Sequence, residues 1–209
     1  MRFFIPVIMS MWSSASLALD SRYELKGDTL IFDMTIEKPG YEFTRQLEMY
    51  DEMWIRWHLE GYPEIKTLKL TGPGGFMPAA REIANLLVKY EVDTIAYGEC
   101  ISACTTVFLG GQQRDIEEGT ILGFHRLRID KEGHKFVYDA QKEKMGWKDE
   151  FEYFNTAYDR LVTNVVADMQ FMESRGLSME FIFKVFSTPN VELWIPSREE
   201  LLTGGVLTE

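Results

Sequence analysis

The chain has 209 residues, with 33 Asp or Glu against 22 Lys or Arg and a formal charge of −11 at neutral pH. No run of Lys or Arg interrupts that acidic balance, which excludes nucleic acid and anionic surfaces as natural partners. With 45% apolar and 13% aromatic residues there is ample material for one packed core and no compositional sign of disorder.

Residues 1–18 read as a secretory signal. Arg2 precedes an apolar stretch from Phe3 to Trp12, and small residues end at Ala15-Ser-Leu-Ala18. The stretch falls short of the roughly 20 apolar residues that a spanning helix needs, so cleavage rather than anchoring is expected. No later stretch is long and apolar enough to cross a bilayer. The expected mature protein is a single domain, residues 19–209, in the periplasm or secreted.

Along that domain, Tyr23 to Ile36 predicts two strands around a Lys26-Gly27-Asp28 turn, because β-branched and aromatic residues flank turn formers. Leu47, Tyr50, Trp54 and Trp57 recur at steps of three and four and predict a helix over 42–60, stopped by Gly61. Ile65 to Leu70 alternates as a strand and runs into Gly72-Pro-Gly-Gly75. Pro78, then Ile83, Leu86, Leu87 and Tyr90, mark the next helix. Asp93 to Tyr97 is a strand leading to a turn at Ser102, Ala103 to Leu109 a buried helix stopped by Gly110-Gly111, and Thr120 to Phe124 a short strand delivering His125.

Beyond it, Arg126 to Tyr138 alternates around Lys131-Glu-Gly133 and predicts a hairpin beside that turn. Phe151, Phe154, Tyr158, Leu161, Val162, Val165, Met169 and Met172 trace one long amphipathic helix ending at Gly176. Ser178 begins another helix, and Ser197-Arg-Glu-Glu200 is a capping box for the last, stopped by Gly204-Gly205. Alternating strands and helices predict an α/β fold of stacked strand-strand-helix units.

The chemistry is concentrated between Gly72 and His125. A serine on a strand-to-helix turn has an exposed hydroxyl and backbone amides aimed at a developing oxyanion, and a downstream histidine supplies the base such a hydroxyl requires. The upstream glycine loop suits a second amide donor, since glycine allows a backbone to approach a substrate closely.

The order Gly-Pro-Gly-Gly, a helix, Ser102-Ala-Cys-Thr-Thr-Val-Phe-Leu-Gly-Gly111, then Gly123-Phe-His125, resembles the Clp-protease/crotonase superfamily, and most closely its secreted bacterial Clp-like members. The resemblance spans about residues 65 to 126, with a weaker tail near 190 to 208. It implies the Clp/crotonase-like spiral, Ser102 as nucleophile, His125 as general base, and the amides of Gly75 and Ala103 as oxyanion donors. It further implies a peptide or protein substrate, no cofactor and no metal, and the long helix after residue 150 as a contact surface of a homo-oligomer. Ordinary packing of that helix on its own core is the alternative.

In the family an aspartate orients the histidine. Here no Asp occurs between Ser178 and the C-terminus, and Asn190 and Glu192 are the available substitutes. If neither reaches His125, a Ser-His dyad remains. Cys100 and Cys104 flank Ser102 and form either a short-loop disulfide, provided their Cα atoms come within about 7 Å, or a pair of small buried thiols. His58 and His134 are expected on the surface.

The hypothesis is therefore a secreted serine peptidase acting through an acyl-enzyme. Its rivals are a catalytically silent Clp-fold protein that binds peptides or a partner, and an esterase or coenzyme A-using crotonase relative. The last needs cytoplasmic acyl-coenzyme A, which a signal peptide disfavours.

Overall fold

The turn formers and β-branched residues after Arg22 produce the hairpin predicted there. In the computed structural model, which describes residues 21–37, 45–127 and 131–208, β1 (Tyr23–Lys26) and β2 (Thr29–Asp33) pair antiparallel. The signal-like segment 1–18 lies outside the described residues. Every later pairing in the sheet is parallel: β2 with β3 (Thr67–Gly72), β3 with β4 (Asp93–Ile101), and β4 with both β5 (Arg114–Ile116) and β6 (Ile121–Gly123). The strand order is β1-β2-β3-β4-β5, with β6 also on β4.

Parallel neighbours need crossover connections, and helices supply them. Here α1 (Asp51–Gly61) joins β2 to β3, α2 (Met77–Lys89) joins β3 to β4, and α3 (Ala103–Leu109) joins β4 to β5. Leu30, Phe32, Leu68, Leu70 and Ala96 on the sheet, Ile83 and Leu87 on α2, and Val107 and Phe108 on α3 form one fully buried core. The predicted α/β spiral of strand and helix units is what the chain adopts.

Strand β4 serves two partners because it is kinked. Its N-terminal half pairs with β5 at Thr94 to Ala96 and its C-terminal half with β6 at Glu99 to Ile101. Between them the register to β3 slips from Leu70 opposite Ala96 to Gly72 opposite Cys100. Gly98 sits in the bulge at φ 60°, a left-handed conformation that costs glycine nothing, and Thr71 Oγ1 donates to the displaced Glu99 carbonyl at 2.9 Å. The bulge turns the end of β4, and with it Ser102, toward β6.

Two predicted elements differ. The helix expected over 42–60 runs only from Asp51 to Gly61, and residues 42–44 of it lie outside the described set. Leu47 is instead drawn into a bridge with Gly75: its amide donates to Gly74 at 2.6 Å and its carbonyl accepts from Phe76 at 2.8 Å. Those tertiary bonds outweigh helical periodicity. The hairpin expected over 126–138 is the helix α4 (Lys131–Met145), whose surface run of helix formers carries a Lys135 to Asp139 pair one turn apart.

The long helix α5 (Glu150–Ser174) forms as predicted, with Asp149 capping the amides of Phe151 and Glu152, but it does not pack as an ordinary core helix. Only Asp168 and Met172 on it are buried, while Phe151 is 69% exposed and Phe154, Tyr158, Val162 and Val166 are exposed as well. After it come α6 (Met179–Ser187) and α7 (Arg198–Thr203), the latter opened by the predicted Ser197/Glu200 capping box.

Arg114 ties the last segment to the sheet. Its guanidinium donates to the carbonyls of Gly111, Arg175, Gly205 and Val206 at 2.8 to 3.1 Å, and Arg175 in turn donates to Leu109 and Gly111. Burial, with Arg175 beside it, pushes Arg114 down to about 10, so it stays charged at neutral pH. Replacing Arg114 with Met strands the carbonyls of Arg175, Gly205 and Val206, since Gly111 keeps its bond from Arg175. We expect a loss of about 3 to 5 kcal/mol in unfolding free energy, read from urea denaturation.

Candidate active site

The chain turns sharply at Ser102. This residue has φ 57° and ψ −123°, a conformation rare for any residue with a side chain, and it stands immediately before α3. Three constraints hold it there. The Ser102 amide donates to Gly123 at 2.9 Å, fixing the turn to the end of β6. The Ser102 carbonyl accepts from the Thr105 amide at 2.9 Å and the Thr105 hydroxyl at 2.7 Å.

The third constraint is the Pro73-Gly74-Gly75 loop, which lies directly on the turn. A side chain at Gly74 would place its first carbon 2.5 Å from the Ile101 carbonyl, 2.7 Å from the Ala103 nitrogen and 2.9 Å from Ser102 Cβ. Glycine is required there on space alone, and its φ of 90° requires it again.

Cys100 and Cys104 close a disulfide around the turn, their Cα atoms 5.2 Å apart and both side chains fully buried. Of the two readings open in the sequence, the bridge is the one formed. It links the last residues of β4 to the first turn of α3, with Ser102 between them.

His125 follows β6 and is half-buried. The chain around it is fixed from outside by residues 188–194, which arch over it. Phe124 and Trp194 exchange two backbone hydrogen bonds at 2.9 Å each, and the Arg126 amide donates to Thr188 at 3.1 Å. Phe124, Phe181 and Trp194 pack ring on ring beneath, with centroids 4.6 to 6.0 Å apart.

His125 Nδ1 lies 2.7 Å from the carbonyl of Arg126. A carbonyl only accepts, so Nδ1 carries the proton and Nε2 is left as the basic nitrogen. No hydrogen bond joins the Ser102 hydroxyl to His125 among the described residues.

Ser102, His125, Gly75 and Asn190 line one cleft of about 1080 Å³. Asn190, half-buried at the crest of the arch, faces this space, whereas Glu192 is exposed and outside the lining. The amides of Gly75 and Ala103 donate to no backbone carbonyl among the described residues: the bridge between Leu47 and Gly75 uses the Gly74 carbonyl and the Phe76 amide instead. The cleft thus brings together a hydroxyl on a strained turn, a histidine of defined tautomer and the uncommitted Gly75 amide, while Ala103, the buried first residue of α3, adjoins the turn without lining the cleft.

Sequence reading missed the far wall of the cleft. Tyr153, Ala157, Leu161, Asn164, Asp168 and Met172 on α5 all line it. Their three- and four-residue spacing is a legible stripe, but a mixed one: Leu161 and Met172 belong to the apolar pattern already noted, while Asn164 and Asp168 give no apolar signal. Asp168 holds Arg81 of α2 through two hydrogen bonds of 2.6 and 2.8 Å, which raises the Arg81 guanidinium further above its ordinary value and ties α5 across the cleft.

Both remaining histidines depart from the surface positions expected. His58 is 3% exposed, its Nδ1 2.7 Å from the Trp54 carbonyl and its ring against Tyr23, Trp57 and Tyr62. His134, on α4, lines the cleft with Nδ1 2.6 Å from the Tyr153 hydroxyl. Burial pushes Tyr153 up, opposed by the nearby charge of Arg160. Among the described residues no cluster of His, Cys, Asp or Glu is arranged to hold a metal, and no helix is long and apolar enough to cross a membrane.

Comparison with solved structures agrees with this architecture. A point mutant of ClpP1 from Listeria monocytogenes superposes with a TM-score of 0.54 over 78% of this chain and 84% of its own, at 17% identity. The chain has a Clp-protease-like fold. At that identity the likeness speaks for the fold alone, and no family model and no curated protein sequence matches the chain.

Two outcomes follow from the turn. Gly74→Ala should lower stability by about 2 kcal/mol or more, read by urea unfolding, because both the space and the backbone angle oppose it. Reducing the Cys100 to Cys104 bridge frees a short loop worth about 2 kcal/mol, so the melting temperature should fall by about 4 to 8 °C on addition of reductant. The Cys100→Ser/Cys104→Ser double variant should then melt at one temperature with or without it.

Proposed function

We propose that this protein is a serine peptidase working through an acyl-enzyme. The observation that carries the reading is the Ser102 turn, a non-glycine residue held at positive φ between a glycine loop and the strand that delivers His125. Strain of this kind is kept where a side chain must be presented.

In the proposed cycle His125 Nε2 takes the Ser102 proton as Oγ attacks the substrate carbonyl. The amides of Gly75 and Ala103 hold the oxyanion. Collapse of the tetrahedral species breaks the peptide bond, and the imidazolium returns its proton to the leaving amine. Water, activated by the same nitrogen, then hydrolyses the ester.

The Arg126 carbonyl fills the orienting part of the third residue's role, because it fixes the tautomer with Nδ1 protonated. It supplies no full charge to stabilise imidazolium, so turnover below that of a complete triad is expected. Asn190, which lines the same cleft, is the side chain we assign to assist that orientation once substrate is bound. The same features favour one alternative, a Clp-fold protein that binds peptides without cleaving them, since Ser102 and His125 share no hydrogen bond here. Catalytic contacts are often longer before substrate binds, which keeps the peptidase reading ahead.

We further propose a periplasmic or secreted location. The signal-like residues 1–18 support it, as does a disulfide of a kind that persists in oxidising compartments. The exposed apolar stripe of α5 supports self-association through that helix.

Intact-mass analysis after fluorophosphonate treatment tests the chemistry. One adduct on the wild type, absent from Ser102→Ala and reduced by at least about 10²-fold in rate in His125→Ala, is expected, with Asn190→Ala slower by about tenfold. Folded wild-type protein that takes no adduct would transfer the assignment to peptide binding.

A further inference from the structure

Arginine partners are distributed unevenly in this molecule. Arg22, Arg45, Arg56, Arg81 and Arg198 each pair with a carboxylate. Arg114 and Arg175 spend their guanidinium groups on backbone carbonyls. Among the described residues that leaves Arg126 and Arg160, whose guanidinium groups have neither kind of partner, and both line the cleft. In a chain with 33 acidic side chains, two arginines left without a carboxylate in one cavity require explanation.

Their surroundings add to the contrast. The acidic residues of the cleft lining are Glu48 and Asp168, and Asp168 is already committed to Arg81. Glu48 belongs to the Gly75 side, next to the Leu47 bridge, while Arg126 adjoins His125 and Arg160 stands on α5 near Tyr153. The cleft is therefore positive on its His125 and α5 side, although the molecule as a whole is strongly negative. A partly enclosed cavity concentrates such a local field, and a planar guanidinium offers paired donors that match a carboxylate.

We propose that Arg126 and Arg160 form a carboxylate-recognition wall that makes this cleft selective for anionic peptides. The selectivity deepens the peptidase reading given above and rests on that cleft being the peptide site, yet it does not need the chemistry to occur. A carboxylate reaches the wall either as an Asp or Glu side chain or as the C-terminus of the peptide. Arginine in place of lysine favours a fixed, bidentate contact over a diffuse one.

Binding without turnover tests it. Fluorescence anisotropy with full-length Ser102→Ala protein compares labelled decapeptides that differ at a central position, Glu against its isostere Gln, all amidated at the C-terminus, plus the Gln peptide with a free carboxylate. We expect the Glu peptide or the free-carboxylate peptide to bind about 5- to 10-fold more tightly than the amidated Gln peptide, with the advantage shrinking as salt is raised. Which one gains identifies the source of the carboxylate. Adding Arg126→Gln and Arg160→Gln together should erase the advantage, and Arg126→Lys with Arg160→Lys should keep part of it. Both arginines are exposed enough for these changes to leave the fold intact, which a thermal melt verifies.

Equal binding of all three peptides, or an advantage that survives the double Gln variant, would overturn the proposal. A wild type that takes no fluorophosphonate adduct but keeps the arginine-dependent preference would defeat the peptidase reading alone.

Discussion

Everything at the candidate site depends on one backbone conformation, Ser102 at positive φ. Such a turn costs an L-residue on the order of 1 to 3 kcal/mol, and it persists only when its surroundings over-determine it. Here β6 accepts its amide, Gly74 fills the space against it, α3 takes up its carbonyl, and a disulfide closes across it. The bulge at Gly98 is part of the same arrangement, because it swings the end of β4 onto β6 and so brings the serine turn beside the strand that bears His125.

The histidine is held with comparable redundancy but from the far end of the chain. The arch over 188–194 grips Phe124 and Arg126 on either side of it, and the rings of Phe181 and Trp194 support the strand from below. Its orientation comes from a neighbouring carbonyl rather than from a carboxylate. That substitution keeps the proton on the correct nitrogen while giving up a charge, which is a chemically coherent way for a chain lacking an aspartate in its last segment to retain a basic Nε2.

Much of this was legible in the residues. Alternation and turn formers located five of the six strands, and the Gly-Pro-Gly-Gly, Ser-Ala-Cys and Gly-Phe-His segments marked the parts of the site that sit on tight turns, where composition is constrained by backbone geometry. What escaped was set by tertiary contact. Leu47 carries helical spacing yet is taken by the glycine loop, β5 is too short to alternate, and the surface residues of α4 give no apolar period. Buried His58 was hidden for a similar reason, since an imidazole enclosed by aromatic rings has no sequence signature of its own. The cleft face of α5 was hard to read because it mixes Leu161 and Met172 of the apolar pattern with Asn164 and Asp168, which look solvent-exposed until α2 is seen to lie across from them, joined through Arg81 and Asp168.

The arch has one more consequence, for the order of events during synthesis. Ser102, its glycine loop and its disulfide partners are all in place once β6 has been made, but the segment that grips His125 emerges only after α4, α5 and α6. A nascent chain therefore has the Ser102 turn complete, beside a histidine without its support, while residues 126–187 are still being made. The geometry around His125 is thus completed only when the last part of the domain docks.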